Sequence, residues 1–207
     1  MALFDFLIPK KMTPEQTFWQ WFVGHEDELF HFERNQEAVF DALQKAMGLV
    51  HKDLAFEFGP VKEGRREFVI SACGIKSAFL AVVSLADQAP SLKRWRVLKF
   101  RQRHTPLCDI EIHGLKIKAS DVEFTLLTSK DAVGLYLFLP GYTEERKTDF
   151  GNIGYLMLDQ ALGEYDVVAK LGPIKMMGPD AAVGSEKYPL KELPTMFDQV
   201  WSRLSSQ

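Results

Sequence analysis

Cysteine is scarce in this sequence, which has only Cys73 and Cys108 among 207 residues. Two cysteines cannot form a disulfide framework, and no CxxC motif or Cys/His cluster surrounds either of them. We therefore expect both thiols to be reduced and to pack as small hydrophobic residues in the core.

Long hydrophobic runs are also missing. No stretch approaches the roughly 18 continuous apolar residues of a membrane-spanning helix. The beginning, MALFDFLIPKK, places its lysines after a short apolar run, which is the reverse of a secretory signal. We therefore expect a cytoplasmic protein without a membrane span. The apolar residues Phe4, Phe6, Leu7 and Ile8 form a weak surface anchor at most, and we expect them to pack against the domain or to fray.

The familiar motifs of catalysis and phosphate binding are absent. The sequence contains neither GxGxxG nor GxxxxGK[ST], and no GxSxG nucleophile elbow. No cofactor is therefore expected, and an enzyme is the less favoured interpretation. An active site assembled from scattered residues, such as Cys73 with a distant histidine, stays open because one sequence cannot reveal it.

Two possible metal sites are weak. Glu28 and His31 have the ExxH spacing of carboxylate-bridged metal sites, but the sequence offers no second ExxH pair. Asp109, Glu111 and His113 alternate along a strand, but the hairpin described below gives both carboxylates a lysine partner and places His113 in the turn. We therefore expect no metal site.

The pattern of elements predicts an α+β fold with a mixed or mainly antiparallel sheet. Thr13-Pro14-Glu15-Gln16 combines an N-cap, a first-turn proline and a capping box, and begins an N-terminal helical segment over 13–48. A C-terminal helix is expected over about 190–204. Between them we expect helices at 75–88 and 148–162, and strands at 54–58, 67–71, 95–103, 121–128, 133–139 and 166–171.

The segment CDIEIHGLKIK predicts a tight hairpin around His113-Gly114. Pairing across this turn places Glu111 opposite Lys116 and Asp109 opposite Lys118, with charges of opposite sign. Around the hairpin, the order strand–strand–helix–strand occurs twice, over 54–103 and 121–171. We therefore expect a single compact domain over 1–207 that is built from two β-β-α-β-like units.

The segment KRWRVLKFRQRH, residues 93–104, concentrates positive charge in a chain whose formal net charge is −3. If it is a strand as far as Arg103, basic residues lie on both of its faces. Basic and aromatic groups on a sheet can hold single-stranded nucleic acid, but they also suit an edge strand with ion pairs to the protein or to a partner. The candidate binding residues are Arg94, Arg96, Lys99, Arg101 and Arg103.

The helix that includes FWQWF carries more aromatic surface than one core face requires. Its apolar residues cover roughly 200° of the helix, about twice the arc that a surface helix buries. Trp19 and Trp21 lie on nearly opposite sides. Either the helix is buried between two layers, or one tryptophan is exposed as an anchor for a partner.

Four segments together resemble a group of small uncharacterised bacterial cytosolic proteins: FWQWF, EFVISACGIKSAF, APSLKRWRVLKFRQR and LGEYDV. The resemblance covers most of the chain and implies a bacterial α+β protein. It implies no activity and no functional residues.

The favoured interpretation is a non-catalytic protein that binds another macromolecule, with a protein favoured as the partner, through exposed aromatics or the basic strand. The alternative is an RNA- or phosphate-binding module that uses residues 93–104, and an enzyme is the third possibility. The sequence does not fix the oligomeric state.

Overall fold

The computed structural model describes residues 11–129 and 132–205. The apolar residues Phe4, Phe6, Leu7 and Ile8 lie outside these ranges. Backbone contacts divide the chain into two compact units, Met1–Lys99 and Phe100–Gln207, and each is described by itself. The interpretation of the chain as one domain stays a prediction, whereas the α+β fold with helices near both ends is confirmed.

The first unit begins with three helices and continues with a β-β-α-β arrangement. Its elements are α1 (Pro14–Gly24), α2 (Glu26–Phe30), α3 (Gln36–Gly48), β1 (Ala55–Phe58), β2 (Arg66–Ser71), α4 (Phe79–Asp87) and β3 (Trp95–Lys99).

Helix α1 starts as its sequence predicts. The hydroxyl of Thr13 accepts the backbone N–H of Gln16, whose side chain accepts the backbone N–H of Thr13. Pro14 occupies the first turn, where its missing N–H costs nothing. The helix ends at Gly24, so all the aromatic residues of FWQWF lie within it.

The sheet of the first unit has the order β1-β2-β3. β1 and β2 are antiparallel, with Phe58 opposite Phe68, whereas β2 and β3 are parallel, with Phe68 opposite Val97. Helix α4 lies between β2 and β3 in the chain, as a parallel connection requires. This arrangement confirms the first β-β-α-β unit.

Aromatic rings dominate the core of the first unit. Phe68 stacks on Phe22 at 5.1 Å between ring centroids and on Phe18 at 6.2 Å. The ring of Trp95 meets Phe22 edge-on at 5.2 Å. Helix α1 thus covers the central strand β2 with rings, and all four of these residues are buried.

The prediction that β3 continues to Arg103 is wrong. The strand ends at Lys99, because Phe100 has a φ of 60°, which breaks the extended backbone. The alternation of side chains between two faces therefore stops before Arg101 and Arg103. The basic segment divides into a short strand and an irregular stretch.

The second unit contains a hairpin, a second β-β-α-β arrangement and a final helix. Its elements are β4 (Ile110–Ile112), β5 (Leu115–Ile117), β6 (Glu123–Thr128), β7 (Val133–Phe138), α5 (Lys147–Leu162), α6 (Glu164–Lys170), β8 (Leu171–Met177), β9 (Tyr188–Pro189) and α7 (Leu193–Leu204).

The hairpin of β4 and β5 is confirmed, including its register. Glu111 lies opposite Lys116, and Ile110 lies opposite Ile117. His113 and Gly114 both have positive φ, 47° and 73°, as a two-residue turn between twisted strands requires.

A four-stranded sheet of order β8-β7-β6-β9 forms the centre of the second unit. β6 and β7 are antiparallel and β7 and β8 are parallel, so the second β-β-α-β unit is confirmed. The predicted strand at 166–171 is wrong, because a helix, α6, occupies 164–170. Gly163 precedes it with a φ of 83°, and Glu164 and Asp166 lie in its first turn, where carboxylates are favourable.

The core of the second unit is mainly aliphatic and is formed by the sheet with α5 and α7. Leu135 and Leu137 on β7 pack with Ile153 and Leu158 on α5, and Leu193 joins them from α7. β8 contains Gly172 and Pro173, which resemble a loop in sequence, and it lies at the sheet edge, where proline is tolerated.

Candidate functional site

The two candidate tryptophans of α1 have different environments. Trp19 is buried, with 4% of its surface exposed, and its Nε1 donates to the carbonyl oxygen of Leu85 on α4 at 2.8 Å. Trp21 is only partly buried and stacks on His25, with ring centroids 4.6 Å apart. Trp19 therefore belongs to the core, and Trp21 is the one of the two that reaches the surface.

Trp21 lines a cavity of about 850 Å³ between α1 and α3, which we call the lysine cavity. Its other lining residues are Lys11, Met12, Pro14, Thr17, Phe18, Ala42, Lys45, Ala46 and Leu49. Leu49 is 75% exposed and Met12 46% exposed, so apolar side chains face solvent here. Among the described residues, no carboxylate lines this cavity.

Trp21 and Ala42 also line a second cavity of about 330 Å³, which we call the histidine cavity. It extends toward α2, and its other lining residues are His25, Asp27, Glu28, Leu29, His31, Arg34, Asn35, Ala38 and Val39. The Nδ1–H of His25 donates to the carbonyl oxygen of Trp21 at 2.8 Å, which holds the imidazole against the indole. We call the two cavities together the α1–α3 groove.

The sequence did not single out most of this groove. The α3 residues that line it recur at spacings of three and four, and they lie beside the face that buries Leu43 and Met47. Ala42 and the C-cap residue Leu49 are the sequence features that indicate the groove, because they extend the apolar surface of α3 beyond its buried face. That signal is weak because alanine is common on exposed helix faces.

The candidate basic residues of the first unit have acidic partners. Arg94 contacts Glu26 at 3.3 Å and Asp27 at 3.2 Å, and it also lies over the ring of Phe30. Arg96 contacts Glu67 at 3.4 Å. Lys99 pairs with Asp87.

Arg101 and Arg103, in the second unit, are also paired. Arg101 contacts the buried carboxylate of Asp159 at 3.3 Å, and its backbone N–H donates to Glu164 at 3.1 Å. Both carboxyl side chains are almost entirely shielded from solvent. The pair connects the irregular stretch after β3 to the end of α5 and the start of α6.

Arg103 donates two hydrogen bonds to Asp198, at 2.7 and 2.8 Å, and one to Asp166 at 3.1 Å. These bonds to Arg103 hold the pKa of the Asp198 carboxyl below its usual range, and the same contacts raise the pKa of Arg103. Each of the five candidate basic residues therefore has a carboxylate within its own unit.

Cys73 and Cys108 form no disulfide, but the prediction that they are buried is wrong, because both are exposed. Cys73 follows β2 in a turn, where it and Gly74 have positive φ. Cys108 has its Sγ 3.8 Å from Nδ1 of His104. That nitrogen donates to the carbonyl oxygen of Pro106 at 2.6 Å, so it carries the proton and is not a base for the thiol.

His113 and Asp149 form an acid–base pair on the second unit. The Nδ1–H of His113 donates to Oδ1 of Asp149 at 3.0 Å, and Arg146 donates to Oδ2. The bond from His113, followed by that from Arg146, lowers the pKa of Asp149. Both carboxylate oxygens are occupied by the protein, so the cluster fastens the hairpin turn to α5.

Comparison with known proteins adds no assignment: no family model, curated protein or solved structure matches the chain. Among residues 11–129 and 132–205, no three His, Cys, Asp or Glu side chains gather as a metal site requires. Within the same ranges, no helix combines the length and the hydrophobicity needed to cross a membrane.

Proposed function

We propose that this protein binds a helical segment of another protein in the α1–α3 groove. The observation that carries the proposal is the position of Trp21, half-buried between two adjoining cavities. A tryptophan offers a large apolar surface at little cost in side-chain entropy, which makes it a frequent anchor of protein interfaces.

The shape of the groove supports a helix as the occupant. Its walls are two helices, and the lining residues of α1, together with its C-cap His25, recur at helical spacing: Pro14, Thr17, Phe18 and Trp21. From Ala38 to Leu49, α3 rises about 17 Å. An amphipathic helix of three to four turns has a matching length and places apolar side chains at i, i+3, i+4 and i+7 along one face.

The structure offers less support for a nucleic-acid or phosphate site on the basic segment, residues 93–104. RNA or phosphate binding by Arg94, Arg96, Lys99, Arg101 and Arg103 stays a prediction. Their carboxylate partners would have to be displaced, or shared, before these residues could contact a polyanion. That the binding takes place in a bacterial cytoplasm stays a prediction from the sequence.

The test is a selection from a displayed library of helical peptides with apolar residues at i, i+3, i+4 and i+7. The protein and its Ala42→Arg variant are used in parallel. Ala42 is exposed and lines both cavities, so an arginine there fills the groove without disturbing the core. We expect peptides that bind the wild type and lose at least about tenfold in affinity to Ala42→Arg.

The matched control is Asp41→Arg, which places the same side chain on the neighbouring residue of α3, outside both cavities. It should bind the selected peptides within about twofold of the wild type. Circular dichroism and thermal unfolding verify that both variants fold. Peptides that bind Ala42→Arg as tightly as the wild type, or no enrichment at all, would contradict the proposal.

Two other occupants are distinguished by further measurements. If a second copy of the chain fills the groove, the wild type sediments as a dimer and Ala42→Arg as a monomer. If residues 1–10 of the same chain fill it, peptides bind only after the apolar residues among 4–8 are replaced by serine. Either result overturns binding of a separate partner.

A further inference from the structure

The charges around the α1–α3 groove are unequally distributed. The lysine cavity carries Lys11 and Lys45 and, among the described residues, no acidic lining. The histidine cavity carries Asp27, Glu28 and Arg34 beside its two histidines. The surface is therefore positive at one end and close to neutral or negative at the other.

The charges in the histidine cavity are partly neutralised within the protein. Asp27 contacts Arg94 at 3.2 Å and His31 at 3.7 Å. Glu28 is exposed and of opposite sign to Arg34, which lines the same cavity. An acidic ligand group gains little binding energy at this end, because its attraction to Arg34 is offset by its repulsion from Glu28.

Lys11 and Lys45 lie beside apolar surface rather than open solvent alone. Phe18, Trp21 and Leu49 share the cavity with them. A ligand that covers this apolar surface also removes water around the ammonium groups, which strengthens their attraction to a carboxylate. A basic ligand in the same place would bring its positive charges close to the two lysine ammonium groups, and this repulsion disfavours its binding.

We propose that the partner helix is acidic at one end only, and that this end binds against Lys11 and Lys45 with apolar side chains seated on both sides of Trp21. This inference rests on the proposed function, because it names the chemistry of the segment that the groove holds. It excludes uniformly basic amphipathic helices, and it predicts one direction of binding for any given partner.

The test uses a helical peptide library with fixed leucines at i, i+3, i+4 and i+7 and with Glu, Gln or Lys at every other position. Selection on the wild type should enrich Glu at one end of the peptide. Selection on Lys45→Glu, which leaves Lys11 beside a carboxylate, should lose this enrichment of Glu. A peptide selected on the wild type should bind Lys45→Glu about fivefold to tenfold more weakly.

Lys52→Glu is the matched control, because Lys52 is an exposed lysine outside both cavities and its replacement changes the net charge equally. It should leave the selected residues unchanged and the affinity within about twofold.

The outcomes separate the two proposals. Leucine-anchored peptides that bind the wild type and fail on Ala42→Arg, but show no preference for Glu, overturn the acidic partner and leave the groove as a protein-binding site. A Glu preference that survives in Lys45→Glu also overturns it. No enrichment on the wild type over Ala42→Arg overturns the groove itself, and the inference falls with it.

Discussion

The two units of this chain share a β-β-α-β arrangement but fill it in different ways. In the first, α1 covers the sheet with Phe18, Phe22 and other rings that contact Phe68. In the second, α5 and α7 cover the sheet mainly with aliphatic side chains around Leu137. The same order of strands therefore does not require the same kind of core.

Aromatic packing has a consequence for the surface of the first unit. A helix with rings around much of its circumference cannot bury all of them against one sheet, because a single core face takes only about half that arc. Trp19 lies inward and Trp21 remains at the edge, where the groove forms. The core of the second unit is mainly aliphatic. The exposed aromatic residues Tyr155 and Tyr165 on its helices carry a polar hydroxyl, which water can solvate.

The largest effects are expected from truncating the centre of each core. Phe68→Ala removes a fully buried ring that contacts several others, and should lower the free energy of unfolding by about 3–5 kcal/mol. Leu137→Ala, at a fully buried position of β7, should cost about 2–5 kcal/mol. Urea unfolding followed by circular dichroism measures both. A cost below about 1 kcal/mol at Phe68 would contradict the aromatic core.

The next prediction compares a buried ion pair with a half-exposed one. Arg101→Met leaves the shielded carboxylate of Asp159 without its cation, and should cost about 3–5 kcal/mol. Arg66→Met removes a buried arginine whose partner, Glu33, is exposed and can be hydrated, so the cost should be about 1–2 kcal/mol. Urea unfolding of each variant gives the two values.

A double variant provides the control for this comparison. Asp159→Leu together with Arg101→Met removes the unpaired charge as well as its partner, and should recover part of the stability lost in Arg101→Met. If the double variant is as unstable as Arg101→Met alone, the charge of Asp159 is not the cause of the loss.

Replacing Trp21 should have a smaller effect on stability. Trp21 is only partly buried, so Trp21→Ala is expected to cost less than a core truncation, about 1–2 kcal/mol. Trp19→Ala is the contrast and belongs with the core truncations, at about 3–5 kcal/mol, since its ring and its hydrogen bond to Leu85 are buried. Equal costs, measured by thermal and urea unfolding, would contradict the assignment of Trp21 to the surface.

The smallest predicted effect is on the pH dependence of the free energy of unfolding. Because Arg103 holds the folded-state pKa of Asp198 below its unfolded value, the ionised carboxyl stabilises the protein above about pH 4. This contribution is lost as the pH falls through the lower, folded-state pKa. The gap in unfolding free energy between the wild type and Arg103→Gln should therefore narrow from about pH 5 to about pH 2. A gap that stays constant in urea titrations across this range would contradict the pairing.

Sequence predicted the features whose causes lie within a few residues. The capping box at Thr13 and Gln16 and the hairpin around His113 involve only local partners. The capping box is confirmed with its hydrogen bonds, and the hairpin with its register. The β-β-α-β order also follows from local periodicity, which changes between strands and helices along each unit.

Features that depend on distant contacts were not predictable in this way. The end of β3 is set at Phe100, next to Arg101, whose backbone N–H is bound by Glu164 from another part of the second unit. The sequence of α6 favours a strand, because its short apolar run has no clear helical period. Gly163, which precedes the helix, is not a strong signal for a helix start.

The two tryptophans illustrate the same limit. Their angles around α1 follow from the sequence, but the neighbour that covers Trp19 is α4, whose Leu85 lies 66 residues away. The groove beside Trp21 depends on how α1 and α3 are placed, and no pattern within either helix specifies this.

The most direct measurement of the central claim is the affinity of one selected helical peptide for three proteins: the wild type, Ala42→Arg and Asp41→Arg. Isothermal titration calorimetry gives each dissociation constant. The account predicts at least about tenfold weaker binding by Ala42→Arg and binding within about twofold of the wild type by Asp41→Arg. Equal affinity of Ala42→Arg and the wild type would show that the α1–α3 groove is not where the partner binds.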